Sequence, residues 1–279
     1  KVYFDHVPHE KMMELLGKRI KDPSFLLLVR RFLKAGYHED GKLVATEAGV
    51  PQGGNLSPML SNIFLHYVLD EWFEKEVKPR LKGEGHLVRY ADDFICMIQK
   101  EEEAQTILNA LRERMTQHGL ELHPDKTRML KFGRSAGENA RQQNRQLSTF
   151  DFLGFTHYCG KSRKGNFKLG IKTSGKKFRK CCRAMNLWLK GVRNVQQAKD
   201  WWSLVKAKLR GHYQYYGVSG NYRAISRYYQ QTLWMMFKWL NRRSQRKSFS
   251  IKTFFEYIKR YPLPTPRIVH DFYTLSFAT

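Results

Sequence analysis

Apolar residues in this chain recur three and four apart over some stretches and at alternate positions over others. Residues 1–5 read as the tail of a strand. Helical spacing follows from His9 to Lys18 and from Ser24 to Ala35, with Asp22-Pro23 as the break between them. Leu43 to Glu47 alternates like a short strand. The loop from Gly49 to Pro58 then leads into a helix with Ser57 as its N-cap and Pro58 as its first residue. Leu60, Ile63, Phe64, Tyr67, Val68 and Trp72 form one face of that helix. Leu87 to Tyr90 and Phe94 to Ile98 are the strands of a tight hairpin. A further helix carries Ala104, Ile107, Leu108, Leu111 and Met115, and Gly119 is its C-cap.

Leu120 and Leu122 alternate as a strand running into His123-Pro124-Asp125-Lys126-Thr127, and the polar residues 133–148 read as an exposed loop. Phe150 to Phe155 is strand-like and leads into a turn at Gly160 to Gly165. From about residue 174 the pattern is helical. Phe178, Cys181, Cys182, Met185, Trp188 and Leu189 form one stripe, and further helices cover about 196–216 and 221–243. The order is α+β first and helical second, with the boundary near residue 165.

Composition sharpens that division. The chain has 279 residues, 42% of them hydrophobic, enough for two domains with a sizeable core. Residues 1–160 carry 23 Lys/Arg against 22 Asp/Glu, whereas residues 161–279 carry 27 against 3. Nearly all of the formal +25 therefore lies in the second part, which is also rich in Trp and Tyr. Such a domain suits a polyanion with flat bases, RNA or DNA. No apolar run reaches the roughly 20 residues of a membrane span, so no membrane partner is expected. Cys96, Cys159, Cys181 and Cys182 show no paired C-x-x-C spacing, and a reducing, cytoplasmic setting fits them.

The chemistry concentrates at Asp92 and Asp93, adjacent carboxylates at the tip of the expected hairpin. Asp is common in turns because it caps local N–H groups. A carboxylate pair at a hairpin tip can also hold the hard divalent cations that nucleotide polymerisation requires.

Six pieces in register decide between these readings. They are Phe4-Asp5 with His9; Pro51-Gln52-Gly53 with Ser57-Pro58; Tyr90-Ala91-Asp92-Asp93; His123 to Thr127; Phe152-Leu153-Gly154-Phe155; and Leu209-Arg210-Gly211-His212-Tyr213-Gln214-Tyr215-Tyr216-Gly217. In this set and order the chain resembles the reverse transcriptases, or maturases, encoded by bacterial group II introns. The resemblance implies a palm, an antiparallel sheet with packed helices, in residues 1–165, with partial fingers and a primer-grip hairpin. It implies a basic all-α thumb or maturase domain in 166–279. Most of the fingers would be absent.

The implied activity is RNA-directed DNA synthesis from dNTPs on an RNA template with a DNA primer, using two Mg²⁺ ions, with Mn²⁺ as the alternative. Asp92 would be a metal ligand and Asp93 its catalytic neighbour, with Tyr90 and Ala91 shaping the turn. Phe4 would be the steric gate against ribonucleotides, Gln52 and Gly53 would approach the templating pair, and Lys126 would meet the pyrophosphate. Phe152, Leu153 and Gly154 would form the primer grip. Lys176, Lys177, Arg179, Lys180, Arg183, Arg210, Arg242 and Arg243 would contact RNA, including a parent intron whose splicing the thumb assists. The family's other metal-binding Asp falls just before Lys1, which suggests a fragment of a longer protein. The alternatives are a polymerase-inactive fragment or maturase that only binds intron RNA, and a domesticated enzyme of phage defence or a CRISPR locus.

Overall fold

The structure is a computed structural model and describes residues 7–35, 37–39, 42–44, 49, 56–136, 147–162, 164–195, 197–243 and 248–272. The chain divides into two compact units, Lys1–Met129 and Leu130–Thr279. Phe4, Gln52 and Gly53 lie outside the described residues, as do the strand expected over 1–5 and residues 137–146 of the expected loop.

The first unit begins with α1 (His9–Gly17) and α2 (Pro23–Lys34). Asp22, in the expected break between the helices, caps α2: its carboxylate accepts from the backbone N–H of Ser24 at 2.8 Å and of Phe25 at 3.2 Å. Short strands β1 (Tyr37–Glu39) and β2 (Lys42–Val44) pair antiparallel. The buried imidazole of His9 donates to the Gly49 carbonyl at 2.6 Å, so Gly49 is tied to the start of α1.

Helix α3 (Ser57–Leu65) starts one residue earlier than its Ser-Pro signal suggests, with Leu56 at the N-cap position. It runs on through two π-helical turns, His66–Asp70 and Phe73–Val77, and a 3₁₀ turn at Lys78–Arg80. Leu60, Phe64, Val68 and Trp72 are buried along it, the face expected from the spacing. Then come β3 (Gly85–Tyr90), β4 (Asp93–Ile98) and α4 (Glu101–Gln117). Gly119, at φ +73°, ends α4 with two bonds, Leu120 N–H to Met115 O and Gly119 N–H to Thr116 O. These are the two bonds of a Schellman cap. Leu120 and Leu122 do not form the expected strand. Leu120 follows the cap directly and is buried in the core of α1–α4, which fixes it by packing instead of by a ladder.

The second unit opens with a three-stranded antiparallel sheet, β5 (Thr149–Phe152), β6 (Phe155–Lys161) and β7 (Phe167–Thr173). Four helices follow: α5 (Gly175–Val192), α6 (Ala198–Tyr216), α7 (Tyr222–Leu240) and α8 (Ile251–Arg260). Residues from 166 onward are therefore not all-α, because β7 pairs along its length with β6. The boundary expected near 165 falls in the turn between two strands of one sheet, whereas the compact units divide at 129/130.

Met185 and Leu189 of α5, Trp201 and Leu209 of α6, Met236 of α7 and Phe254 of α8 are buried together. Asn221 ties the sheet to the helices. Its side chain accepts from Thr173 N–H at 2.8 Å and donates to Thr173 Oγ1 and Tyr216 O, each at 2.8 Å.

His212 is buried in this unit, its ring stacked on Tyr228 with centroids 3.7 Å apart. Burial holds its imidazole down to about 4. The unfolded chain, with its His near 6.5, takes up this proton first, so stability is full above that value and falls as pH drops toward 4. A loss of about 3 kcal/mol is expected from this group. Denaturant titration at pH 7 and pH 4.5 measures it. Unchanged stability, or an unchanged slope in His212→Phe, rules out the assignment.

Candidate nucleotidyl-transfer site and nucleic-acid surface

The hairpin β3–β4 forms as its two apolar runs predict. Tyr90 pairs with Asp93, leaving Ala91-Asp92 as a two-residue turn. Ala91 has φ +52°, in the left-handed region that two-residue hairpin turns usually fill with glycine, asparagine or aspartate. A Cβ in this conformation costs of order 1–2 kcal/mol, so the turn is held there by its surroundings. Leu87, Phe94, Cys96 and Ile98 pack against the core of the first unit. Burial raises the Cys96 thiol to about 11, which keeps it protonated and inert. Val88 and Tyr90 point outward, as do both Asp92 and Asp93.

The residue missed from the sequence is Arg89. Its Nε and Nη2 hold both oxygens of Asp70, at 2.7 and 2.6 Å. Its Nη1 donates to Asn62 Oδ1 at 2.9 Å and to the Ala91 carbonyl at 3.0 Å. The Arg89 side chain is 13% exposed and that of Asp70 28%. One signal was available. Arg89 shares the inward parity of Leu87, and a charge on the packed face of a strand must find a partner.

The donors at the hairpin tip are hard carboxylate oxygens, the chemistry that magnesium prefers. The exposed Asp92 carboxylate offers this chemistry, with Asp93 next to it in the chain. Among the described residues no group of three or more His, Cys, Asp or Glu side chains is close enough to form a metal site by itself. Lys126 is exposed in a turn where its backbone N–H donates to His123 O at 3.2 Å.

In the second unit, Leu153 and Gly154 form the turn between β5 and β6, with φ +48° and +82° and Phe152 paired to Phe155. The strand-like run from Phe150 thus folds back on itself at a Leu-Gly pair. Helix residues clamp the turn. Tyr215 Oη donates to Leu153 O at 2.8 Å, and Ser174 N–H donates to Gly154 O at 3.0 Å. Phe155 stacks on Tyr215 with centroids 5.8 Å apart. A Cβ on Gly154 would lie 3.3 Å from the Tyr216 hydroxyl and 3.5 Å from Lys177 Cγ. Gly154→Ala should therefore cost about 1–2 kcal/mol and lower the melting midpoint by a few degrees. Calorimetry reads this directly, and an unchanged midpoint would mean that the turn relaxes freely.

Lys176, Arg179, Lys180 and Arg183 are exposed on the face of α5 opposite Met185 and Leu189, and Lys177 flanks that face. Arg210 on α6 and Arg242 are exposed, and Arg243 is half-buried. Trp201, Trp202, Tyr213, Tyr216, Tyr228 and Trp239 are core, while Tyr215 and Trp234 are about half exposed. Three cations surround Trp239: Arg193, Lys238 and Arg242 lie 4.8, 4.9 and 5.7 Å from its ring centroid. Among the described residues no helix is long and apolar enough to cross a membrane.

Comparison with known proteins bears on the β3–β4 hairpin. Residues 1–157 match the family described as reverse transcriptase (RNA-dependent DNA polymerase). The group II intron-encoded protein LtrA of Lactococcus lactis subsp. cremoris is 31% identical over 146 residues, covering 48% of this chain and 24% of that protein. An uncharacterized 91 kDa protein in the cob intron of Schizosaccharomyces pombe is 40% identical over 89 residues, 32% of this chain and 11% of its own length. Protein YkfC of Escherichia coli (strain K12) is 35% identical over 136 residues, 40% of this chain and 35% of its own. The matched parts thus span between 11% and 35% of these relatives. With the Tyr-Ala-Asp-Asp turn in place at the end of β3, the chain belongs to the reverse transcriptase (RNA-dependent DNA polymerase) family, on its group II intron-encoded side.

Proposed function

We propose that this protein carries the palm and thumb of a group II intron-type reverse transcriptase and extends a primer along an RNA template. The observation that carries the reading is the tight β3–β4 turn that presents Asp92 and Asp93 to solvent on a packed hairpin. In this reading residues 1–165 are palm with partial fingers, and 166–279 are the basic thumb or maturase part. Two bound Mg²⁺ ions would activate the primer 3′ hydroxyl and stabilise the departing pyrophosphate. The chain's own part is to hold and orient. Asp92 supplies carboxylate oxygens to the metal, and Asp93 supports it beside the primer end. Lys126 offers a proton or a positive charge to pyrophosphate. Phe4 crowds the sugar 2′ position, and Gln52 with Gly53 lets backbone approach the templating pair. Phe152, Leu153 and Gly154 grip the primer.

A second reading is supported by the charge of residues 161–279, where 27 Lys/Arg face 3 Asp/Glu. Here the protein binds intron RNA and assists its splicing, a role that needs no carboxylates. Both readings are tested by primer extension on an RNA template with Mg²⁺ and dNTPs, run beside RNA binding on the same protein. Extension supports the polymerase. Tight RNA binding without extension selects the second reading and sinks the first.

A further inference from the structure

The Ala91–Asp92 turn is unfavourable for a residue with a side chain, yet nothing in its own sequence holds it: no glycine, no proline and no side-chain cap. What meets it is the Arg89 guanidinium. This one planar group joins three parts of the fold at once, Asp70 on the first π-helical turn, Asn62 on α3 and the Ala91 carbonyl at the turn. Two parallel bonds to a carboxylate fix both the position and the plane of a guanidinium. The remaining nitrogen then has a set direction, and it points at the carbonyl of the peptide that leads into Asp92. Because a peptide unit is planar, fixing that carbonyl also fixes the Asp92 nitrogen and the direction in which the chain enters Asp92.

The π-helical turn contributes. Such a turn holds one residue more than an α-turn, and it commonly marks a place where function overrides regular helix. Asp70 is its last residue, and His66 Nδ1 lies 3.5 Å from Asp70 Oδ2. The carboxylate is thus approached by Arg89 from the hairpin and by His66 from its own helix.

We propose that Arg89, aligned by Asp70 and Asn62, is the positioning residue of the catalytic turn: it holds the Ala91–Asp92 peptide so that the Asp92 carboxylate keeps one direction. Arg89 touches no reacting atom. The proposal rests on the polymerase reading above and assigns a role to residues outside the Tyr-Ala-Asp-Asp motif.

Arg89→Lys keeps the charge and loses the fork. Asp70→Asn keeps one acceptor and loses the charge. Three quantities are read for each: primer-extension kcat, the Kd for template–primer, and amide hydrogen exchange of the peptide spanning residues 85–98. The expected result is a fall in kcat of about 10²-fold, the usual consequence of a misplacement near 1 Å. Template–primer Kd should stay as in the unsubstituted protein. Exchange should quicken in residues 85–98 and stay unchanged in α1 and α4. Because both substitutions disable one device, the double variant should be little worse than either single one.

Normal kcat in Arg89→Lys overturns the proposal. So does exchange that rises throughout the first unit, which would mean plain loss of stability. If the unsubstituted protein extends no primer, the polymerase reading fails. Exchange in 85–98 then still decides whether Arg89 holds the turn, and unchanged exchange removes the clamp altogether.

Discussion

Asp92→Ala should abolish primer extension while leaving RNA binding intact. Ligation by a carboxylate contributes several kcal/mol of charge stabilisation at a metal-dependent centre, so a rate loss of about 10³-fold or more is expected. The side chain is exposed at a hairpin tip, where substitution changes stability by only about 0.5 kcal/mol. A melting midpoint near that of the unsubstituted protein would therefore show that the loss is chemical and not structural. Asp93→Ala separates the two neighbours. If Asp93 only supports Asp92, its replacement lowers the rate less. Extension that survives Asp92→Ala would remove the metal assignment, because no third carboxylate in the described residues stands ready to replace it.

The second large effect concerns the outward face of α5. Replacing Lys176, Arg179, Lys180 and Arg183 together by Gln should weaken RNA binding and flatten its salt dependence. Each phosphate left without its cation takes about 0.7 off the slope of log K against log salt for a single strand, so four such phosphates amount to about 3. The core of α5 lies on the opposite face, at Met185 and Leu189, so folding should survive. A salt slope equal to that of the unsubstituted protein would take this face out of the interface. The experiment also separates the two functional readings, since the charge change leaves Asp92 untouched. A polymerase that still extends at saturating RNA, yet binds weakly, would place catalysis and RNA affinity in separate side chains.

What could be read from the sequence was whatever depends on neighbours along the chain. The Asp22-Pro23 start of α2, the Gly119 end of α4 and the hairpin at residues 85–98 all have local causes: a side-chain cap, a left-handed glycine and a two-residue turn between apolar runs. Strand β7 was less legible. Its Gly170 and two lysines dilute the apolar alternation, and its existence depends on β6 as a partner. At Gly170 a side chain would collide with the ring of Tyr158, across the ladder on β6, so the glycine belongs to the pairing and not to a loop. The π-helical turns after Leu65 are invisible to a 3.6-residue pattern because the i, i+4 row of Leu60, Phe64, Val68 and Trp72 persists through the first of them.

At the candidate site the same division holds. The carboxylates stood out because they sit in a recognisable motif, whereas Arg89, which meets their turn, reaches 19 residues back to Asp70 and 27 back to Asn62. Pairings of that separation leave only an indirect trace, a charged residue at an inward position. Leu153-Gly154 lies between these cases. Its glycine was visible, but the clamp by Tyr215 and Ser174 comes from helices that follow the sheet.

The ring of cations around Trp239 points to a wider consequence of the charge in residues 161–279. Three carboxylates cannot neutralise 27 cations, so many lysines and arginines there have no anion within the same segment and some lean on aromatic faces instead. Mutual repulsion then works against the folded state of this part. Added salt screens that repulsion and also weakens the grip on a polyanion. If this part binds RNA as proposed, ionic strength would pull in opposite directions on the free and the RNA-bound protein, and bound RNA would serve as the counterion that residues 161–279 lack.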